Sequence, residues 1–474
     1  MAQAGAGAPV RILQFGEGNF LRAFVDWMVQ KMVEAGKFDG KVAVAKTIPG
    51  PFAPEFEAGR GAYHVVVRGS QGGRASVERH KVEVISKLVN PYEDFEGFLA
   101  AASDPSLRVV FSNTTEAGIA MRETDAAADR PAPSYPGKLT QALRARYLAL
   151  GGGKGTALLV MPCELIERNG ATLREYVLAH ARRWYADPAF ERWLAEDCSF
   201  YDTLVDRIVP GHDAKAREEL HRETGTDDPL LVVTEPYYIF AIQGKEREDI
   251  LPLRASGLNA VWTDDITPYR SLKVRILNGG HTFLAMAGLG LGVKTVREGL
   301  EHPLLGPALR SLLELEVGPV VGRPEAEVRE YIGRILDRYA NPYMEHQLES
   351  IALNSASKWR TRLEPSLVGY AADKGRPPRL VAYSLAALIQ RYSSGAAVKD
   401  DAPVLEGFAE VSRIASTDPR AAALAALGDP RIWDGGLPAV PGFAGLVAST
   451  FAEIRGRGPE AALASALEAA RAGR

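Results

Sequence analysis

Three polar side chains, Lys273, Asn278 and His281, interrupt an apolar, helix-like segment between Ser271 and Thr282. At about 3.6 residues per helical turn, Asn278 and His281 are neighbours, and Lys273 projects from roughly the same side two turns earlier. A partly desolvated lysine can act as a general base toward a hydroxyl, and an asparagine amide can donate a hydrogen bond to a carbonyl or alkoxide oxygen. The spacing indicates proton transfer in one cleft. A surface lysine, a capping asparagine and a structural histidine are the alternative.

A glycine turn lies near the start of the chain, between elements that would position a ligand beside such catalytic side chains. Val10–Phe15 indicates a strand, Gly16-Glu17-Gly18 a tight turn, residues 20–33 a helix and residues 41–48 a second strand. Together these elements predict one βαβ unit, the beginning of a parallel sheet covered by helices.

The residue types in this turn suit an anionic dinucleotide. Gly16 permits the tight turn, Gly18 lets a pyrophosphate approach the backbone, and the amides of Asn19 and Phe20 open the next helix. Arg22 adds a charged donor. The third glycine of the usual pattern is replaced by leucine, so a plain strand-to-helix turn is the alternative.

The choice of cofactor depends on the end of the second strand. An acid that binds the ribose is expected about 20 residues past the glycines, yet residues 41–51 contain no Asp or Glu. Lys46 either tolerates a 2′-phosphate or is a solvated lysine at the end of a strand. These residues leave the choice between NAD and NADP open.

Strand and helix patterns alternate as far as residue 260, and helical patterns dominate from Tyr269 onward. Further strands are predicted at residues 63–68, 76–84, 107–112, 157–162, 204–209 and 230–234, the first two as an inserted hairpin and the last two as extensions of the sheet. Further helices are predicted at residues 92–102, 138–150, 173–185, 325–338, 344–357, 380–392 and 459–472. We expect an α/β domain over residues 1–265 and a mostly α-helical domain over residues 266–474.

Composition excludes several classes of partner. The 474 residues are 46% hydrophobic and 24% charged with a formal net charge of −3, which gives no field that favours nucleic acid or a membrane surface. Cys163 and Cys198 cannot form a disulfide framework or a four-thiolate site, and no His-Glu-x-x-His pattern occurs, so no metal is predicted. Without a signal peptide or a long apolar stretch, we expect a cytoplasmic protein, a monomer or small homo-oligomer, with a small-molecule substrate.

Five sets of residues occur in order along most of the chain. They are Gly16-Glu17-Gly18-Asn19-Phe20-Leu21-Arg22-Ala23, Thr115-Glu116-Ala117-Gly118, Lys138-Leu139-Thr140, Val205-Asp206-Arg207-Ile208, and Lys273 with Asn278 and His281. Together they resemble the long-chain mannitol dehydrogenase family. The resemblance implies a metal-independent, NAD-dependent oxidoreductase of carbohydrate metabolism, with an N-terminal Rossmann-type dinucleotide-binding domain and a mostly α-helical C-terminal domain.

The resemblance also implies residue roles. Lys273 matches the catalytic base of the family, Asn278 its oxyanion-stabilising amide, and His281 its substrate-orienting imidazole. Lys358 matches a substrate-binding lysine. The cofactor-binding residues so implied are Gly16, Gly18, Asn19, Phe20, Arg22, Thr115 and Glu116.

Other segments narrow the resemblance to members that act on sugar acids. These are residues 14–24 and 162–166, Asn341-Pro342, Glu345-His346 and residues 350–355. They imply interconversion of D-tagaturonate and D-altronate in hexuronate (galacturonate) catabolism. A fructuronate reductase, a hexitol dehydrogenase and a non-catalytic cofactor-binding protein remain the alternatives.

Three positions depart from the polyol-oxidising members. Leu165 stands in place of a second oxyanion asparagine, Arg270 in place of a glutamate, and Ser350 in place of a substrate-binding arginine. An arginine beside the cleft fits a substrate carboxylate, because its planar fork pairs with a carboxylate in a bidentate way. Arg270 and Arg360, with Lys358, are therefore candidate substrate-binding residues. Solvated helix charges are the alternative for Arg270, Arg360 and Arg362.

Overall fold

The computed structural model describes residues 7–59, 61–71, 74–115, 117–433, 436–437 and 439–473. The chain divides into two compact units. The first consists of Met1–Arg68 and Ser76–Ile266, and the second of Gly69–Ala75 and Thr267–Arg474. Each unit is built around its own buried apolar residues.

The strands are numbered along the chain. They are β1 Val10–Phe15, β2 Lys41–Ala45, β3 Tyr63–Gln71, β4 Arg74–Val82, β5 Ile85–Val89, β6 Val109–Ser112, β7 Leu159–Pro162, β8 Ser199–Phe200, β9 Asp202–Asp206, β10 Val232–Thr234, β11 Ile239–Gln243 and β12 Ala260–Thr263.

A parallel sheet in the order β5-β2-β1-β6-β7-β8 forms the centre of the first unit. Gln14 of β1 is in register with Val44 of β2 on one side and with Phe111 of β6 on the other. The chain first adds β2 and β5 on one side of β1. It then adds β6, β7 and β8 on the other side. The strand order therefore reverses between β1 and β6, and ligands of such sheets bind in the crevice beyond the carboxyl ends of the strands at this point.

Helices cover both faces of this sheet. Ile12 contributes to the core on one face, and Leu13 and Phe15 contribute to the core on the other, as expected for a parallel sheet buried on both sides. The helical segments of this unit are Asn19–Leu21, Arg22–Asp26, Trp27–Glu34, Pro54–Ala58, Phe95–Ala102, Tyr135–Leu150, Asn169–Tyr185, Pro188–Arg192, Trp193–Asp197, Ala214–Thr224 and Arg254–Ser256.

Two strands predicted to extend the parallel sheet do not do so. The strand expected at residues 204–209 is β9, which pairs antiparallel with β11, and the strand expected at residues 230–234 is β10, which pairs with β3. β9 follows β8 after a single residue, and a parallel neighbour requires a crossover of a dozen or so residues. The two strands instead belong to three-stranded sheets, β12-β11-β9 and β10-β3-β4.

The second unit is mostly helical. Its segments are Thr267–Ser271, Leu272–Asn278, Gly279–Gly290, Val296–Glu301, Leu305–Ser311, Leu312–Val317, Gly318–Val320, Glu325–Tyr339, Leu348–Ile351, Ser355–Arg362, Glu364–Lys374, Arg379–Ser393, Ala402–Ala415, Pro419–Gly428, Pro430–Trp433, Phe443–Arg457 and Pro459–Ala472. The predicted fold class, a Rossmann-type α/β domain followed by a mostly α-helical one, is confirmed.

One helix predicted in this unit is wrong. Residues 344–357 were expected to form a single helix, but the chain forms Leu348–Ile351 and then Ser355–Arg362. Asn354 separates the two with a left-handed backbone (φ 52°), a conformation that asparagine tolerates better than most residues. The break begins a new helix at Ser355, and that helix carries Lys358, Arg360 and Arg362.

A buried carboxylate joins two helical segments of the second unit. Glu316, 1% exposed, accepts hydrogen bonds from the backbone N–H groups of Arg379, Leu380 and Val381 at 2.8 to 3.0 Å. These are the first amides of Arg379–Ser393, most of which is buried. The carboxylate supplies acceptors that the helix lacks at its start and complements the positive end of its dipole.

Within the described residues, no helix combines the length and apolar character that a membrane crossing requires.

A buried acid in the helix after the glycine turn predicts a pH dependence of stability. Asp26 is fully buried and accepts hydrogen bonds from Gln14 Nε2 at 3.3 Å and from the Tyr63 hydroxyl at 3.1 Å. Burial raises the pKa of Asp26 to about 7. The folded chain therefore keeps a proton that the unfolded chain loses above about pH 4, so this group lowers the free energy of unfolding as the pH rises from about 4 to about 7.

Replacing Asp26 by Asn is expected to remove this dependence. Between about pH 5 and pH 8, the free energy of unfolding of the parent should fall by on the order of 2 kcal/mol more than that of Asp26→Asn. The gain in stability of the variant relative to the parent should therefore be larger at pH 8. Urea unfolding at both pH values measures the difference. The control is Asp264→Asn, whose side chain is exposed. Parallel pH profiles for Asp26→Asn and the parent would contradict the prediction.

Candidate active site

The glycine turn lies where the strand order reverses, at the carboxyl end of β1. Gly16 has φ +114°, and its N–H donates to the carbonyl of Ala45 at 3.0 Å. A Cβ at this position would lie 3.3 Å from the carbonyl oxygen of Asn113 and 3.3 Å from Leu21 Cδ1. Both the backbone conformation and the space therefore require glycine.

Gly18 serves a different purpose. It is the N-cap of the helix that begins at Asn19, its φ is −66°, and no side chain caps the helix. A Cβ built on Gly18 would have no atom within 4 Å. Gly18 and Asn19 are exposed at this helix start, where the positive end of the helix dipole lies, and such a terminus suits an anion such as a pyrophosphate.

Arg22 and Asn19 stabilise the glycine turn through side-chain hydrogen bonds. The Arg22 guanidinium donates to the carbonyl of Leu230 and to Asn19 Oδ1, both at 2.5 Å, and lies 5.1 Å from the centre of the Tyr63 ring. Arg22 is only 8% exposed. Phe20 stacks on Phe24 with ring centres 5.0 Å apart. Of the predicted cofactor-binding residues, Gly18 and Asn19 are exposed, whereas Gly16 is buried in the turn and Arg22 is held by protein acceptors.

Lys46 lies at the carboxyl end of β2 and is not a solvated lysine. It is 6% exposed, and its Nζ is 2.7 Å from Glu17 Oε1 in the glycine turn. The prediction of a solvated lysine at the end of the strand is therefore wrong. The turn and the end of β2 are brought together by the hydrogen bond from Gly16 to Ala45, which sequence reasoning did not provide.

The segment after β6 faces the same crevice, because β6 lies beside β1. Thr115 has φ +71°, an uncommon conformation for a β-branched residue that is seen mostly at functional sites. Glu164, 2% exposed, accepts from the Ser112 hydroxyl at 3.0 Å and from both the amide and the hydroxyl of Thr114 at 2.9 Å. Glu164 thus fixes the segment that carries Thr115. Glu116, also predicted to bind the cofactor, lies outside the described residues.

In the second unit, Lys273 and Asn278 lie on a π-helical segment. Leu272–Asn278 continues Thr267–Ser271 and leads into Gly279–Gly290, and the N–H of Gly279 bonds to the carbonyl of Val274, five residues earlier. A regular α-helix would place residues five apart about 140° from one another. The wider π-helical turn aligns them instead, so Lys273 and Asn278 share a face. Such bulges often occur at functional sites.

His281 follows on the next turn and is 7% exposed. Its ring centre lies 4.6 Å from that of Tyr339 and 4.9 Å from that of His346. The Tyr339 hydroxyl donates to the carbonyl of Leu277 at 2.6 Å, which fixes this ring against the Lys273 segment. Burial and the positive charges of Arg338 and Arg362 hold the pKa of His281 well below its usual range. The imidazole is therefore neutral near pH 7 and can accept or donate a hydrogen bond.

Arg362 contacts the end of this segment and the helix that follows it. Its Nη1 donates to Thr282 Oγ1 at 3.1 Å and to the carbonyl of Asn278 at 3.4 Å. Among the described residues, no carboxylate lies within ion-pair distance of its guanidinium. The sequence placed Arg362 among the cations near the cleft, with a solvated helix charge as the alternative, and did not make it a candidate substrate-binding residue. The available signal was its position four residues after Lys358, which puts the two side chains on one face of a helix.

The predicted substrate-binding cations Lys358 and Arg360 lie on the same helix as Arg362. Lys358 Nζ donates to the carbonyl of Ile351 at 3.0 Å, and burial together with the charge of Arg362 lowers the pKa of Lys358. Arg360 donates to the carbonyl of Trp433 at 2.6 Å and lies 3.8 Å from Glu364. Arg270 is in the segment Thr267–Ser271, directly before the π-helical segment. Leu165, which replaces the second oxyanion asparagine, is 58% exposed.

Two arginines act on His281. Burial, the neighbouring His346 and the guanidinium groups of Arg338 and Arg362 all disfavour a proton on the imidazole. Arg362, whose hydrogen bonds go to the neutral acceptors Thr282 and Asn278, keeps a charge that can pair with an anion. In the described part of the chain, no group of three or more His, Cys, Asp or Glu residues is arranged to hold a metal. The candidate groups for chemistry on these elements are a lysine, an amide and a neutral imidazole, with Arg362 bonded nearby.

Comparison with known proteins covers nearly the whole chain. Residues 10–253 match the mannitol dehydrogenase Rossmann domain, and residues 265–455 match the mannitol dehydrogenase C-terminal domain. The chain is 40% identical over 458 residues to an altronate oxidoreductase of Bacillus subtilis (strain 168), covering 96% of this chain and 95% of the relative. It is 41% identical over 402 residues to an altronate oxidoreductase of Halalkalibacterium halodurans, covering 84% and 78% respectively.

Two solved structures share the fold at lower identity. A substrate-free D-sorbitol dehydrogenase superposes with a TM-score of 0.81 at 23% identity, covering 97% of this chain and 96% of the other. The Pseudomonas fluorescens mannitol 2-dehydrogenase, in a ternary complex with NAD and D-mannitol, gives a TM-score of 0.73 at 23% identity, covering 98% and 95%. Both likenesses extend across the two units.

Proposed function

Because the chain belongs to the mannitol dehydrogenase family, we propose that it is an NAD-dependent oxidoreductase that interconverts D-tagaturonate and D-altronate, a step of hexuronate catabolism. The family resemblance found in the sequence is confirmed. The observation that carries the choice of a sugar acid is Arg362, whose guanidinium bonds only to the neutral acceptors Asn278 and Thr282 among the described residues and can therefore pair with a substrate carboxylate. The names of the relatives support the same choice.

The proposed chemistry assigns a role to each of three side chains. In the direction of reduction, Lys273 gives a proton to the ketone oxygen, and in oxidation its neutral amine takes that proton from the hydroxyl. Asn278 donates a hydrogen bond to the oxygen as negative charge develops on it. His281, a neutral imidazole, orients a substrate hydroxyl. The bound nicotinamide supplies or receives the hydride.

The substrate carboxylate is assigned to the cations of the same unit. Lys358, Arg270 and Arg360 are candidates from the sequence, and the contacts of Arg362 with Thr282 and Asn278 add a fourth. An arginine pairs with a carboxylate through two parallel hydrogen bonds, which fixes orientation as well as charge. We prefer Arg362 as the partner of the substrate carboxylate because its hydrogen bonds go to neutral acceptors, Thr282 Oγ1 and the carbonyl of Asn278.

The cofactor is assigned to the crevice at β1 and β6. Gly16, Gly18 and the first amides of the helix, at Asn19 and Phe20, would hold the pyrophosphate, with Arg22 bracing the turn. Thr115, in the segment after β6, would contact the cofactor, and Glu116 is assigned to it from the sequence alone. The Pseudomonas fluorescens mannitol 2-dehydrogenase was solved with NAD, and for this chain we assign NAD rather than NADP.

Substitution of Gly18 tests the pyrophosphate site. Gly18→Val should fold, because the position has an ordinary backbone conformation and open space around its Cβ. The branched side chain would occupy that space and weaken NADH binding by about tenfold or more, whereas substrate preference should not change. Titration of nucleotide fluorescence measures the affinity. The matched control is Gly155→Val, at an exposed glycine whose Cβ also meets nothing. Unaltered NADH affinity in folded Gly18→Val would refute the assignment of this turn.

A spectrophotometric screen tests the reaction itself. Hexuronate-derived ketoses are offered with NADH and separately with NADPH, and we expect NADH oxidation with D-tagaturonate. Faster turnover of D-fructuronate would favour a fructuronate reductase, and NAD reduction by mannitol without reaction of altronate would favour a hexitol dehydrogenase. Binding of NADH without turnover of any substrate would indicate a non-catalytic protein.

We assign the enzyme to the cytoplasm. Cys163 and Cys198 are both free thiols and both buried, as suits a reducing compartment.

A further inference from the structure

Glu17 and Lys46 form an ion pair at the place where a dinucleotide fold recognises the adenosine ribose. Lys46 is the first residue after β2, its N–H donates to the carbonyl of Val89 at 2.9 Å, and its Nζ lies 2.7 Å from Glu17 Oε1. Its ammonium also lies 5.1 Å from the centre of the Phe52 ring. Lys46 is thus fixed at the carboxyl end of β2, with its charge directed at Glu17.

The fold normally places an acid at this end of the second strand, where the carboxylate accepts hydrogen bonds from the ribose hydroxyls. Residues 41–51 contain no Asp or Glu. Glu17 brings a carboxylate to the same edge from the glycine turn, and its side chain remains 28% exposed. Among the described residues, its bond to Lys46 is its one side-chain hydrogen bond. One carboxylate oxygen is therefore positioned by Lys46, and the other is available to a ligand.

We propose that Glu17, positioned by Lys46, is the acid that accepts hydrogen bonds from the adenosine ribose hydroxyls and thereby selects NAD over NADP. A 2′-phosphate would be repelled by the Glu17 carboxylate, and the charge of Lys46 that could attract it is already neutralised by the same carboxylate. This inference rests on the dinucleotide site of the proposed function and adds the residues that choose between the two nucleotides. The alternative is that the ion pair of Glu17 and Lys46 has a structural role only and holds the glycine turn against the end of β2.

Nucleotide affinity, measured without substrate, tests the proposal. The dissociation constants of NADH and NADPH are obtained by fluorescence titration, and the melting temperature of each variant reports folding. In Glu17→Gln the amide keeps the size of the side chain but releases Lys46. We expect NADPH affinity to rise by about tenfold and NADH affinity to fall several-fold, because one charge-assisted interaction is gained and one is lost.

Substitution of Lys46 separates its role from that of Glu17. Lys46→Met leaves the carboxylate without its positioning partner, so NADH should bind several-fold more weakly while NADPH does not bind better. The double variant should lose the NADPH gain of Glu17→Gln, because the released ammonium is absent. The control is Glu34→Gln, which removes the partner of Lys31 in a surface pair with a distance of 3.2 Å and should change neither affinity.

The outcomes separate this inference from the proposed function. If the parent binds neither nucleotide, the dinucleotide site itself is wrong, and this inference falls with it. If the parent binds NADH but Glu17→Gln keeps the parent's ratio of the two affinities within about twofold, the inference is overturned while the proposed function stands. An equal loss of both affinities with a lowered melting temperature also overturns it, because that result assigns the pair a structural role only.

Discussion

Lys273→Met is expected to lower turnover with D-tagaturonate by about 10²–10⁴-fold, the usual contribution of a positioned general acid or base. Methionine keeps a long, flexible apolar side chain but has no proton to give. Lys273 shares the π-helical face with Asn278, whereas the glycine turn belongs to the other unit. NADH affinity should therefore remain nearly unchanged. Steady-state rates and nucleotide titrations on the same preparation measure both quantities.

The matched control for this variant is Lys294→Met, at an exposed lysine beyond the end of Gly279–Gly290. It should keep the parent's turnover. A Lys273→Met enzyme with more than half of the original turnover would remove Lys273 from the mechanism.

Arg362→Ala is expected to lower kcat/KM for D-tagaturonate by about tenfold to a hundredfold, which corresponds to the loss of a charge-assisted bond of about 1.5–3 kcal/mol. The same variant should lose far less activity toward fructose, a ketose without a carboxylate. Arg362→Lys keeps the charge but not the planar fork, so an intermediate loss is expected. The ratio of the two kcat/KM values is the measurement, because impaired folding or cofactor affinity lowers both alike.

Comparison among the cations ranks the candidates for the carboxylate. The same ratio is measured for Arg270→Ala, Lys358→Ala and Arg360→Ala, with exposed Arg310→Ala as the control. A selective loss in one of them and none in Arg362→Ala would move the carboxylate to that residue. Equal losses toward both substrates in Arg362→Ala would mean that Arg362 only supports Asn278 and Thr282, to which it is bonded. No selective loss in any of the four would contradict the choice of a sugar acid.

The features that the sequence predicts well are those set by short-range patterns. The first βαβ unit follows from an apolar run, a glycine turn and a helical period within fifty residues, and β1 and β2 lie where the pattern puts them. The turn is recognisable from its glycines, because glycine is the residue type that readily adopts a positive φ, as Gly16 does here. In the second unit, the helices Glu325–Tyr339 and Arg379–Ser393 were likewise predicted to within a few residues from apolar spacing.

The features that the sequence misses depend on pairing or on backbone detail. An apolar run predicts a strand but not its partner, so β9 and β10 were assigned to the wrong sheet. Helical periodicity cannot distinguish a π-helical segment from an α-helix, and the alignment of Lys273 with Asn278 depends on that difference. The pair of Glu17 with Lys46 joins residues 29 positions apart, a contact that no local pattern encodes.

The most direct test of the account compares D-tagaturonate with fructose as substrates of the unmodified enzyme. Both are offered with NADH, and kcat/KM is determined from the decrease in NADH absorbance. A carboxylate bound by a cation beside His281 predicts a preference for D-tagaturonate of about tenfold or more, because only that substrate makes the charge-assisted bond. An enzyme that uses both ketoses equally, or that prefers fructose, would contradict the sugar-acid assignment and favour the polyol-oxidising branch of the family.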